Sequence, residues 1–174
     1  VSVRTNMTQP ALRLPKVVEA DPRVAQLLLD LSSNTELLWP GGELRVPAVP
    51  MSDALAAALT GSHRAGQLVR GMESAERTLA AEERGLRIAD QQSGAPRGVR
   101  VSRLLILASD GAERFYRHVE SLLKRHGPRV LAVRVGVDAE ALGALLFGPG
   151  ARARLLMLEH KDAVAAVLIA LARE

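Results

Sequence analysis

The chain has 174 residues, 48% of them hydrophobic, with no cysteine and a formal charge of +4. That length and apolar fraction suffice for one domain with a buried core plus an extension, and the absence of cysteine excludes disulfides, zinc–thiolate sites and cysteine nucleophiles. Residues 1–60 carry five Lys and Arg against six Asp and Glu, and residues 61–174 carry eighteen against thirteen, so an arginine-rich surface suited to phosphate is expected in the later part.

Residues 1–20 hold two prolines and no long apolar run, which predicts an extended segment without a signal peptide. The longest apolar stretch, 163–172, is about half of what a bilayer span needs. A soluble, cytoplasmic protein that does not engage the membrane is expected. Pro22 after Asp21 opens a short helix over VAQLLLDL. Pro40-Gly41-Gly42 between TELLW and ELRV reads as a hairpin turn. Pro47 and Pro50 are expected to keep that hairpin out of the middle of a sheet. Residues 1–50 therefore read as an irregular N-terminal extension, and 51–174 as the domain proper.

From Ser52 the pattern is regular. Ser52 or Asp53 caps ALAAALTG, which Gly61 ends. Residues 74–84 form a helix, with Ala75, Leu79 and Ala80 on one face. The polar stretch 85–100, with Arg84, Arg87, Arg97 and Arg100 in or beside it, reads as a loop. VSRLLILASD, 101–110, is a continuous apolar run, as expected of a strand buried on both faces. A helix through Phe115, Val119, Leu122 and Leu123 follows and ends at Gly127; next come a strand at 128–135, a helix at 138–147 capped by Asp138, a strand at 153–158 and a last helix. This alternation predicts an α/β fold, a three-layer α/β/α sandwich around a small, largely parallel central sheet.

The puzzle is RAGQLVRGMESAERTLAAEERG at 64–85. Glycine in a helix interior costs roughly 1 kcal/mol relative to alanine, yet Gly66 and Gly71 sit five apart among Arg64 and Arg70. HRAGQLVRGMESAERTL (63–79), LLILASDGA (104–112), VRVGVDAEALGALLF (133–147) and ARLLMLEHKDAVAAVLIAL together resemble, in order, the kink-turn RNA-binding ribosomal protein family (the L-seven-Ae superfamily), in its bacterial YlxQ-like branch. The resemblance covers about residues 54–172 and implies a non-catalytic RNA-binding module acting on the ribosome or in RNA maturation.

It places Gly71 where a helix N-terminus meets RNA, Arg64 and Gly66 in the preceding turn, Arg70 beside the glycine and Arg77 on the helix. It places Val135, Gly136 and Val137 in the apolar loop that receives an extruded base. The family's kink-turn readers carry Asn-Glu where this chain has Glu73 and Ser74. A carboxylate repels phosphate and supplies no amide donor. The alternative reading keeps the same fold as a protein-interaction scaffold that has lost RNA recognition. Gly66 and Gly71 then serve only packing or a break between helices, and Val135–Val137 is a plain strand–helix turn. Leu142 and Gly143 read as packing residues.

Little else carries chemistry. Ser109-Asp110 ends a strand, where α/β enzymes often place functional groups, but it also fits a helix cap. His63, His118, His126 and His160 lack metal-ligand spacing. GPGARAR at 148–154 lacks the Lys-Ser/Thr of a phosphate loop and precedes a strand; it reads as a turn with Arg152 and Arg154 adding to a basic edge. Neither enzymatic activity, metal nor cofactor is expected.

Overall fold

A computed structural model describes residues 12–94 and 100–172. In chain order these form α1 (Lys16–Glu19), α2 (Val24–Ser33), β1 (Thr35–Leu37), β2 (Arg45–Val49), α3 (Asp53–Arg64), β3 (Leu68–Arg70), α4 (Met72–Ser93), β4 (Arg103–Leu107), α5 (Glu113–His126), β5 (Val130–Val135), α6 (Ala139–Phe147), β6 (Leu155–Leu158) and α7 (Lys161–Leu171). The strands make one open six-stranded sheet in the order β1-β2-β5-β4-β6-β3.

The sheet is mixed rather than largely parallel. β2, β5 and β4 run parallel, whereas β6 runs against β4, and β3 against β6. The reversal originates after α6. Gly148 (φ 99°) and Gly150 (φ 86°) hold left-handed conformations, and the Ala153 N–H returns to the carbonyl of Ala139, the first residue of α6, at 2.9 Å. The chain thus comes back to the edge it left and enters β6 in the opposite sense. Gly143 allows this: a Cβ there would lie 2.6 Å from the Arg152 Cα and collide with the Ala151 carbonyl.

Alternate strand residues feed two apolar clusters. Leu104, Ile106, Leu156 and Leu158 pack with Leu55 and Leu59 of α3 and Val164, Val167 and Leu168 of α7. Leu105, Leu107, Leu155 and Met157 pack with Ala75 and Leu79 of α4 and Val119 and Leu122 of α5. The period-two alternation, with both faces covered, explains why Leu104–Leu107 and the whole of β6 are apolar. Each leucine so buried contributes about 1.5–3 kcal/mol of transfer free energy.

Residues 12–50 join this architecture. Leu14, Val18, Leu27 and Leu31 enter the first cluster, Leu38 and Val46 the second. Against expectation, β2 is an interior strand, with β1 on one side and β5 on the other. Pro47 is tolerated because the register with β5 begins at Ala48. The hairpin turn is clasped by Glu120 of α5, which is buried and accepts from Trp39 Nε1 (2.9 Å), Glu43 N (2.8 Å) and Leu44 N (2.7 Å).

The expected loop at 85–100 is also corrected. α4 continues unbroken to Ser93 and ends where Gly94 turns left-handed at φ 69°. Residues 86–92 are adequate helix formers. The preceding turn is anchored, since Glu82 pairs with Arg103 (3.0 Å) and Arg129 (3.0 Å), and Glu83 with Arg129 (3.4 Å). Arg97 and its neighbours at 95–99 lie outside the described residues.

Candidate nucleic-acid interface

The strand directions bring most of the sequence-predicted residues to one edge of the sheet. β3 opposes β6, which opposes β4, so β3 runs with β4, β5 and β2. Gly71, Ser109-Asp110 and Gly136-Val137 therefore follow strand ends on the same edge, beside the start of β6. Four hydrogen bonds stitch that edge: Gly71 N to Leu155 O (2.8 Å), Ala108 N to Arg154 O (2.9 Å), Ser109 N to Val137 O (2.9 Å) and Gly136 N to Val49 O (2.9 Å). With strands about 4.8 Å apart, Gly71 and Val137 sit three spacings, or about 14 Å, from one another.

Gly71 answers the question its sequence raises. It is the N-cap of α4, with φ 94° and ψ 156°, a region open essentially to glycine alone. It therefore bears no helix-interior penalty. A Cβ placed there meets nothing within 4 Å, so the glycine serves backbone conformation and leaves the space before the helix open. Its carbonyl accepts from Ala75 N at 3.1 Å, and no side chain caps the helix. The first-turn amides of Met72, Glu73 and Ser74 thus face outward at the positive end of a helix of 22 residues. Gly66 (φ 70°) does separate work: it ends α3 just beyond Arg64 and turns the chain into β3.

A cavity of about 320 Å³ opens in front of this helix start, lined by Arg70, Gly71, Met72, Phe115, Arg152 and Arg154 among others. Arg152 and Arg154 are brought there by the glycine-rich return into β6. Among the described residues, the guanidinium groups of Arg64, Arg77, Arg152 and Arg154 enter no hydrogen bond or ion pair, and all four residues are exposed. Arg70 is committed differently. Its guanidinium lies over the Phe147 ring, 4.3 Å from the centroid, and donates to the Arg152 carbonyl at 2.7 Å. It thereby ties β3 to α6 and to the arginine-bearing loop. His63 abuts the other side of this cluster, its ring 4.9 Å from that of Phe147.

One predicted contact needs correction. Val135 is fully buried in the first cluster, its side chain turned into the core by strand alternation, so it cannot touch a ligand. Val137 is half-buried, packed against the same cluster, and Gly136 is exposed. Glu73 is exposed on the first turn of α4. At the Ser109-Asp110 strand end, Asp110 Oδ1 accepts from Ala139 N at 2.9 Å and, with Asp138 accepting from Ala141 N at 2.8 Å, caps α6. No group of His, Asp and Glu side chains among the described residues is arranged to hold a metal ion.

Sequence reasoning missed Phe115 as a cavity wall. Its place beside the core residue Tyr116 (ring centroids 5.1 Å apart) looks apolar and internal. Its neighbours in the cavity, Arg152 and Arg154, were legible as part of a basic edge.

A second cavity, of about 550 Å³, lies at the opposite edge, against the starts of β2 and β5, and its walls are mostly apolar. It shares none of these residues. No helix among the described residues is long and apolar enough to cross a membrane.

No protein-family model and no curated protein matches the chain. Among solved structures, a protein of unknown function from Bacillus halodurans is similar at 18% identity, covering 71% of this chain and 100% of that one, with a TM-score of 0.47.

Proposed function

We propose that the chain is a non-catalytic RNA-binding protein acting on structured RNA, in the manner of the kink-turn-binding ribosomal proteins its sequence resembles. Ribosomal or other ribonucleoprotein components would be its partners and the cytoplasm its compartment. On this reading the two apolar clusters are the two interfaces of an α/β/α sandwich whose strand-end edge meets the RNA.

The observation that carries the reading is the cavity at the start of α4. Unpaired arginines, an aromatic wall and uncapped amides converge on a space that Gly71 keeps open. Arginine forks and helix-terminal amides both prefer phosphate, and an aromatic wall accepts an unstacked base. Gly136-Val137, about 14 Å away, covers a neighbouring nucleotide. Glu73 stands where the family's kink-turn readers place asparagine, so selection relies on shape and phosphate spacing rather than on an amide reading sheared G·A pairs.

The experiment is an RNA-binding titration at several salt concentrations, using a stem interrupted by an internal loop and a matched uninterrupted duplex. Replacing Arg77, Arg152 and Arg154 singly by glutamate should weaken binding and flatten the slope of log K against log salt by about one per arginine. Arg125→Glu, at the far end of α5, should change neither. Equal effects at all four positions, or absence of RNA binding at low salt, would refute the reading. Capture of a protein partner insensitive to ribonuclease would favour the scaffold.

A further inference from the structure

The charges of α4 and α5 are sorted by face. Glu76 meets His118 (3.1 Å) and Glu83 meets His126 (3.6 Å). These two rungs are seven residues apart on α4 and eight on α5, so the helices lie side by side and run the same way, away from the Gly71 edge. Glu82 and Glu83 also turn inward to Arg103 and Arg129, and Glu120 clasps the hairpin turn. Most carboxylates are thus engaged between and beneath the helices. Outward, Arg77 and Arg84 stand about two turns apart on α4, and Arg114 and Arg125 about three turns apart on α5. All four are exposed, and among the described residues their guanidinium groups enter no hydrogen bond or ion pair. Arg117 and Lys124, also on the outer face, are balanced by Glu113 and Glu43; Glu73 is the exposed acid nearest the edge.

The core of a protein–protein interface is apolar. Between these arginines the outer face presents Ala80, Ala81 and Ser121, and no large apolar side chain. A regular polyanion fits it better. A duplex carries a phosphate about every 3.4 Å along each strand, and arginine forks match phosphate. Arg77 makes this face continuous with the cavity at Gly71. We infer that one double-helical arm of the bound RNA leaves the cavity and lies along α4 and α5, its backbone held by Arg77, Arg84, Arg114 and Arg125. This rests on the RNA-binding reading and adds the part of the RNA held beyond the internal loop. Arg84 and Arg125 flank the second rung, about 20 Å along α4 from Gly71. An arm of four base pairs, about 14 Å long, ends short of them, and for such an arm Arg125→Glu is neutral.

The test uses the full chain and a two-strand RNA with an asymmetric internal loop, its arms set independently at four or twelve base pairs. Shortening one arm from twelve to four should weaken binding at low salt about tenfold and flatten the salt slope by about two, as for two lost phosphate contacts. Shortening the other arm should change neither. R84E/R125E, checked for folding by circular dichroism, should bind the long-armed RNA at least as weakly as wild type binds the short-armed one, and lose the dependence on arm length. K16E/K161E carries the same change of charge on exposed residues of the opposite helix layer and should keep that dependence. Binding without effect of either arm, equal effects of both arms, or equal losses in the two double variants would overturn this inference and leave the RNA reading standing. Absence of binding at low salt would refute that reading, and this inference with it.

Discussion

Gly71→Ala separates the two jobs a glycine can do. At φ 94° and ψ 156° an L side chain is strained whatever space surrounds it, and such a conformation costs about 1–3 kcal/mol. That cost is local to the backbone and not a clash with other parts of the fold, because a Cβ meets nothing beyond its chain neighbours within 4 Å. Gly85 supplies the control. It lies inside α4, away from the positive-φ glycines, and a Cβ there also meets nothing within 4 Å. Gly85→Ala should therefore stabilise by about 0.5–1 kcal/mol. At this chain length each kcal/mol moves the melting temperature by about 2–4 °C. Gly71→Ala should melt about 2–12 °C below wild type and Gly85→Ala a few degrees above it, with urea unfolding giving the same signs. A Gly71→Ala protein as stable as wild type would mean that α4 does not begin in the strained turn, and the outward amides of Met72 to Ser74 would go with it.

Other consequences concern the scaffold that holds the edge. Burial works to raise the Glu120 carboxyl, but three N–H donors and nearby Lys124 outweigh it and hold the group below its ordinary value. Its contribution is therefore complete above about pH 4.5 and fades as pH falls through the lower folded value. Glu120→Gln should cost about 1–3 kcal/mol at pH 7 in urea unfolding, by leaving a clasp donor unmatched; an unchanged midpoint would contradict the clasp. Burial, reinforced by Arg129 and opposed by Glu83, holds His126 below its ordinary value. The unfolded chain then takes up the proton first, so stability should drop as pH falls from 7 through about 6.5 toward the folded value. His126→Leu should flatten that part of the pH–stability curve, and an equally steep curve would refute the assignment. Gly143→Ala forces a methyl group against the Ala151–Arg152 backbone. It should cost about 1–3 kcal/mol and weaken RNA retention together with stability.

Much of the element order could be read from residues alone because two physical signals are local. The apolar runs at 104–107 and 155–158 mark strands covered on both faces, and the caps at Ser52 and Asp138 fixed helix starts, accepting from Leu55 and Ala141 as expected. What escaped was non-local. The antiparallel entry of β6 depends on a return bond to Ala139, which no periodicity encodes. β2 reached the sheet interior because the single missing donor of Pro47 falls where the β5 ladder has already ended. The helical character of 85–93 was hidden by Gly85 and by the absence of an apolar face; its anchors are ion pairs one turn earlier, at Glu82 and Glu83.

The candidate site divides in the same way. Gly71 was legible as a helix start, and its neighbours on the edge followed from the order of strands. The burial of Val135 and the commitment of Arg70 to Phe147 depend on which way single side chains turn.

The most direct measurement is the map of backbone amide shifts as an internal-loop RNA is added at low salt. The account predicts that the largest changes fall on Gly71, Met72, Glu73 and Ser74, on Arg152 to Leu155, and on Gly136 and Val137, and that they vanish as salt rises. Shifts confined to other surfaces, or none on that edge at saturating RNA, would contradict it.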